Sequence, residues 1–145
     1  MRSLILASLF VSASAMACPD LSGTYAACRQ SDGTITDTDM VITQAVQAGV
    51  TVYSTTSTDA ESGETSTDEI ITNGNVVTQT DESGITMSSS AACVGDAVMM
   101  KVNIKYQGQD LGTATIETKK EGNALVSRTS GTINGETVED MSVCE

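Results

Sequence analysis

The sequence contains no histidine and no tryptophan, and only one proline and one phenylalanine. Without histidine, neither a Ser-His-Asp nor a Cys-His arrangement can be assembled. No CxxC spacing occurs either, so a zinc site would need all four cysteines as scattered thiolates. No Ser-x-x-Lys and no glycine-rich phosphate loop is present. Basic residues are scarce: seven Lys and Arg stand against 19 Asp and Glu. Such a field repels nucleic acid and anionic lipid headgroups. Long hydrophobic runs are missing too. The apolar stretch 4–11 is too short to span a bilayer as a helix, and no later stretch is apolar enough. No cofactor is implied.

What is there begins with an export signature. Arg2 supplies a short positive region, residues 4–11 an apolar one, and Ala15-Met16-Ala17 a small-x-small cleavage pattern. Residues 1–17 are therefore read as a signal peptide and 18–145 as a single mature domain, secreted or periplasmic. Cys18 directly after the cleavage site raises a lipid-anchored form as the minority reading. Ala15 stands where a lipidated cysteine usually has a Leu-type residue, and the cysteine count is even only with Cys18 included. Plain cleavage is favoured.

The mature stretch reads as all-β. Proline is absent after Pro19, turn residues recur every 8–12 positions, and threonines alternate with Val and Ile. Leu21 to Arg29, Thr34 to Val46, Val50 to Thr56, Thr65 to Thr72 and Asn75 to Thr80 form the first half. Ile85 to Cys93, Ala97 to Gln107, Gly112 to Lys120, Ala124 to Thr132 and Glu136 to Cys144 form the second. Asn73-Gly74 and Asn134-Gly135 are signals for tight type I′ hairpins. The short connections predict an antiparallel up-and-down meander of about 8–10 strands, closed or nearly closed into a barrel. With few aromatics the core is modest, and disulfides would supplement it.

Four cysteines in an exported chain allow three pairings. In a ten-strand meander the first and last strands become neighbours on closure. That predicts Cys18 with Cys144, which leaves Cys28 with Cys93. Cys18 with Cys28 is disfavoured if one extended strand separates them, because ten strand residues span roughly 30 Å and a bridge needs Cα atoms within about 7 Å.

Asp32, Asp37 and Asp39 lie close together but lack the glycine and terminal Glu of a calcium loop. Asp59-Glu61-Glu64-Asp68-Glu69 and Asp81-Glu82 read as solvated turns. Tyr25, Tyr53, Tyr106, Met87 and Met100 are the large side chains able to line a small apolar cavity, with ordinary core packing as the competing role.

Leu21-Ser22-Gly23-Thr24-Tyr25 resembles the G-x-W opening strand of avidins and lipocalin-like barrels, with Tyr25 where those families have Trp. The full Cys18-to-Tyr25 opening also looks like that of small secreted bacterial proteins of uncharacterised role. The resemblance implies an antiparallel barrel with a small ligand inside, and covers about eight residues. The later ligand-packing tryptophans of avidins have no counterpart.

The function expected from these readings is non-enzymatic: an exported β-domain binding a small apolar ligand or a protein partner. An envelope-associated interaction protein, acting on a basic protein partner through its acidic, Thr-rich surface, is the first alternative. A carboxylate-dependent hydrolase is the second.

Overall fold

The computed structural model describes residues 17–60 and 62–145. Residues 1–16 of the expected leader lie outside them. The described chain forms ten strands: β1 (Gly23–Gln30), β2 (Ile35–Gln47), β3 (Val50–Asp59), β4 (Thr65–Ile71) and β5 (Val77–Thr80), then β6 (Ile85–Val94), β7 (Ala97–Tyr106), β8 (Gln109–Glu121), β9 (Ala124–Ile133) and β10 (Glu136–Cys144). No helix among the described residues is long and apolar enough to cross a membrane.

All ten strands belong to one sheet in the order β4-β3-β2-β1-β10-β9-β8-β7-β6-β5. Every pairing is antiparallel, as hairpin-length connections require. The first and last strands are neighbours, with Cys28 opposite Cys144, Arg29 opposite Val143 and Gln30 opposite Ser142. The sheet curls into a half-barrel whose two edges are β4 and β5. Asn73, just after β4, reaches β6 and forms an isolated bridge with Ala92.

The turn chemistry explains which hairpins close. Ala48-Gly49, Gln107-Gly108 and Asn134-Gly135 each place two consecutive residues at positive φ, as a two-residue I′ turn demands. At Asn73-Gly74 only the glycine has positive φ. The expected hairpin there is not formed: β4 and β5 do not pair. Instead the Asn73 side chain accepts the Asn75 N–H at 2.9 Å, and the Gly74 N–H donates to the Ala91 carbonyl at 2.9 Å. The local turn signal is spent on tying the connection to β6.

The core sits toward the end of the half-barrel that carries the Ala48-Gly49, Gly95-Asp96 and Gly122-Asn123 turns. Leu21, Tyr25, Ile42, Tyr53, Ala91, Val98, Leu125 and Cys144 form its buried cluster, with Cys18, Cys28, Met40, Ile70, Cys93 and Met100 packed against it. Tyr25 and Tyr53 are each only 1% exposed. Strict alternation along the first strand would put Tyr25 and Cys28 on opposite faces. A bulge between Tyr25 and Ala27 shifts the phase, and both reach the core.

The residues before β1 cap this end. Tyr25 donates its hydroxyl to the Leu21 carbonyl at 3.0 Å, and Tyr53 donates to the Pro19 carbonyl at 2.6 Å. Lys120 Nζ donates to the Ser22 carbonyl at 2.9 Å. Residues 18–22 are thus a strap folded over the core, not an extension of the first strand.

That strap corrects the expected disulfide pairing. The bridges are Cys18–Cys93, with Cα atoms 5.3 Å apart, and Cys28–Cys144, with Cα atoms 4.0 Å apart. Two causes act together. The strap delivers Cys18 to β6 instead of leaving it in line with β1. The stagger between β1 and β10 brings the last residue of β10 level with Cys28, well inside β1.

Candidate functional site

The five large side chains named as candidate cavity lining do not share one cavity. Tyr25 and Tyr53 fill the capped end. Met100 is half-buried and packs on the same cluster. Met87 is 48% exposed and Tyr106 is 42% exposed, toward the other end. There Met87 lies opposite Ile104, and Tyr106 opposite Ile85, on the face that continues from the core. The Tyr106 hydroxyl accepts from Gln107 Nε2 at 3.2 Å.

The acids are mainly turn-formers. Asp32 accepts the Thr34 N–H at 2.8 Å, and Asp81 accepts from the Ser83 and Ile85 N–H groups at 2.9 Å each. Asp20 takes the Ser22 N–H at 2.9 Å and also its hydroxyl. These bonds hold all three carboxyls below the ordinary Asp range: for Asp32 the Thr34 backbone N–H leads, for Asp20 the Ser22 and for Asp81 the Ser83 hydroxyl. No cluster of three or more His, Cys, Asp or Glu able to hold a metal occurs among the described residues. Three of the bases have acidic partners on the surface. Lys105 pairs with Asp110 at 3.2 Å, and Lys119 and Arg128 both meet Glu121, at 3.0 and 3.5 Å. Of the six bases among residues 17–145, three are thus in ion pairs and Lys120 is held by the Ser22 carbonyl, and the field beyond them stays acidic.

The feature that stands out is the seam between β4 and β5. In an up-and-down meander consecutive strands pair, and here every consecutive pair does except this one. The seam is pinned at its lower end by the Asn73–Ala92 bridge. Above that pin both strands have an unpaired edge. β5 is exposed at all four positions, and β4 is exposed at all but Ile70. A hollow of about 190 Å³ opens into the seam, lined by Glu69 and Ile70 of β4, Val77 and Gln79 of β5, Ala91 and Met100.

The two sides of the seam carry different chemistry on each face. Ile70 stands opposite Tyr53, so it shares the inner face, and Asp68 follows two residues before it on that face. Glu69 is on the outer face, where Ser54 donates to it at 3.4 Å. Val77 and Gln79 stand opposite Ser89 and Met87 on the inner face, while Thr78 and Thr80 meet the hydroxyls of Ser88 and Thr86 at 2.9 Å on the outer.

A larger groove of about 520 Å³ lies on the β7–β10 part of the sheet, walled by Met99, Glu117, Arg128 and Met141. It is wide open, and Glu117, Arg128 and Met141 are cross-strand neighbours on one exposed surface.

Sequence reasoning missed the seam because Asn73-Gly74 looks like a hairpin turn. The legible clue is the segment after it, where the adjacent Val76 and Val77 break strict alternation; in the structure both are exposed, 68% and 51%. No family model matches the chain, and no curated protein or solved structure matches it.

Proposed function

We propose that this protein is an exported, non-catalytic binding domain that takes up an extended segment of a partner polypeptide at the seam between β4 and β5. The observation that carries the reading is the pair of unsatisfied sheet edges facing one hollow in an otherwise fully paired meander. An unpaired edge offers a row of N–H and C=O groups, and a strand laid on it gains main-chain hydrogen bonds while its alternate side chains enter pockets. The oxidised thiols support residence outside the cytoplasm. The Cys18 sulfur is committed to Cys93, which supports cleavage without lipid attachment, since a thioether would need the same atom.

The small-ligand reading takes second place. The interior at the capped end is filled by Tyr25 and Tyr53. The seam hollow, at about 190 Å³, is smaller than the roughly 300–1,000 Å³ of ordinary ligand sites, and the groove of about 520 Å³ has the volume but lies open to solvent on the sheet surface.

The test is a titration of the disulfide-bonded protein with a synthetic eight-residue peptide alternating valine with serine and threonine, followed by amide chemical shifts. Saturable shifts in β4 and β5 are expected. An absence of shifts, or shifts confined to the Met99–Met141 groove, would overturn the reading.

A further inference from the structure

We infer that β5 is the accepting edge of the seam, that the Glu69 carboxylate of β4 selects the incoming strand, and that the occupant is an extended polypeptide bearing lysine or arginine on alternate positions. This rests on the strand-accepting reading and adds the direction of docking and the chemistry of the partner.

The two edges are not equivalent. Edge strands are normally blunted by charge or proline. β4 is guarded in this way, with Asp68 on its inner face and Glu69 on its outer face. β5 reads Val77-Thr78-Gln79-Thr80 and has neither charge nor proline. It is also preceded by Val76, which is 68% exposed. A row of β-favouring, uncharged residues is the better surface for a new ladder of hydrogen bonds.

A strand laid antiparallel on β5 points every second side chain into the hollow, toward Val77, Ala91, Met100 and Ile70. Those positions call for an apolar residue. Its remaining side chains stand on the outer face, where Thr78 lies on one side and Glu69 on the other. Those positions call for a hydrogen-bonding or cationic residue. The charge of the whole chain argues the same way. With a formal net charge of −12, a second copy brings like charge to the seam, whereas a basic segment is drawn to it. The occupant is therefore a basic, alternating strand from a different protein.

The experiment uses the disulfide-bonded protein and three eight-residue peptides. Each has valine at every second position, with lysine and threonine, glutamate and threonine, or serine and threonine between. The lysine peptide is expected to bind at least tenfold more tightly than the glutamate peptide, with amide shifts largest in β5. Raising salt, or the substitution Glu69→Gln, is expected to weaken the lysine peptide roughly three- to tenfold and leave the serine peptide unchanged. Val77→Lys, at an exposed position, is expected to abolish binding of the lysine peptide while the far-ultraviolet spectrum stays that of the parent.

Equal affinity for lysine and glutamate peptides would overturn the charge selection and leave strand uptake standing. Shifts confined to β4 would overturn the choice of edge. Dimerisation of the protein alone through β5, seen by sedimentation and lost in Val77→Lys, would overturn the foreign partner. Failure of all three peptides to bind would overturn strand uptake itself.

Discussion

Tyr53 shows how a single phenol is tied into the cap. Its hydroxyl donates to the Pro19 carbonyl while its ring fills the core. Burial first, and the nearby Asp20 charge second, push its pKa up to about 12. The unfolded phenol titrates near about 10. The folded value is the higher one, so the stabilisation from the neutral phenol is complete below about pH 10 and is lost as pH rises toward about 12. Tyr53→Phe is expected to cost about 1–2 kcal/mol in urea unfolding at neutral pH. It should also flatten the alkaline limb of the stability profile between those two values. The signs reverse for Asp20, Asp32 and Asp81. Their carboxyls titrate below the ordinary range, so what they contribute is present above about pH 4 and fades as pH falls below it. Gly131 is held by a different force. A Cβ there would sit 2.3 Å from the Thr113 carbonyl oxygen and 2.7 Å from Ala114 Cα, both backbone atoms that cannot swing aside. Gly131→Ala is expected to lower stability by about 1–3 kcal/mol, read from the denaturation midpoint.

At the scale of elements, the strands were legible and the pairings only partly so. Alternation in Val98-Met99-Met100-Lys101-Val102 and the regular turn residues disclose ten strands within a few residues of their observed ends. The adjacency of first and last strands also follows from the meander. What alternation could not disclose were the places where the period breaks. The bulge after Tyr25 returns Cys28 to the core face, and the strap turns Cys18 out of line. Both depend on contacts with residues far along the chain, so no local window contains them. The Asn73-Gly74 connection is the same lesson in a loop. The dipeptide is suited to a hairpin, yet its Asn lacks the positive φ a hairpin needs because Ala91 and Ala92 hold the segment. The candidate site lies where that local preference is overridden, which is why the seam was not foreseen from sequence. Asn73→Ala removes the acceptor of the Asn75 N–H. Faster hydrogen exchange is expected at Gly74, Asn75 and the β5 amides, with β1 and β10 unchanged, as measured by mass spectrometry. Uniform acceleration across the sheet would show that the connection holds more than its own edge.

At the scale of the whole molecule, two bridges divide the labour. Cys28–Cys144 closes a sequence separation of 116 and joins the terminal strands, while Cys18–Cys93 closes 75 and ties the strap across the capped end. Loop entropy grows so slowly with length that the two differ by only about 0.4 kcal/mol on that ground. Replacing either pair by serine is expected to cost about 2–5 kcal/mol. The discriminating signal is elsewhere. Loss of Cys18–Cys93 should loosen the strap and change the near-ultraviolet spectrum of Tyr25 and Tyr53, because their hydroxyls lose fixed acceptors. Loss of Cys28–Cys144 should leave that spectrum largely intact and speed exchange in β1 and β10.

The sulfur link between Cys28 and Cys144 also decides how the domain would respond to a pull. Tension entering the chain at Cys18 and leaving at Cys144 has its shortest covalent route through eleven residues, 18–28, and then across the bridge to Cys144. Because Cys18 is bridged to Cys93, residues 28–93 and 93–144 are longer routes in parallel with 18–28, and the short route limits how far they can be drawn out. A domain pulled at residues 18 and 144 would thus keep its β4–β5 opening from being drawn apart under strain that unravels an unlinked sheet, and would do so only while its thiols stay oxidised.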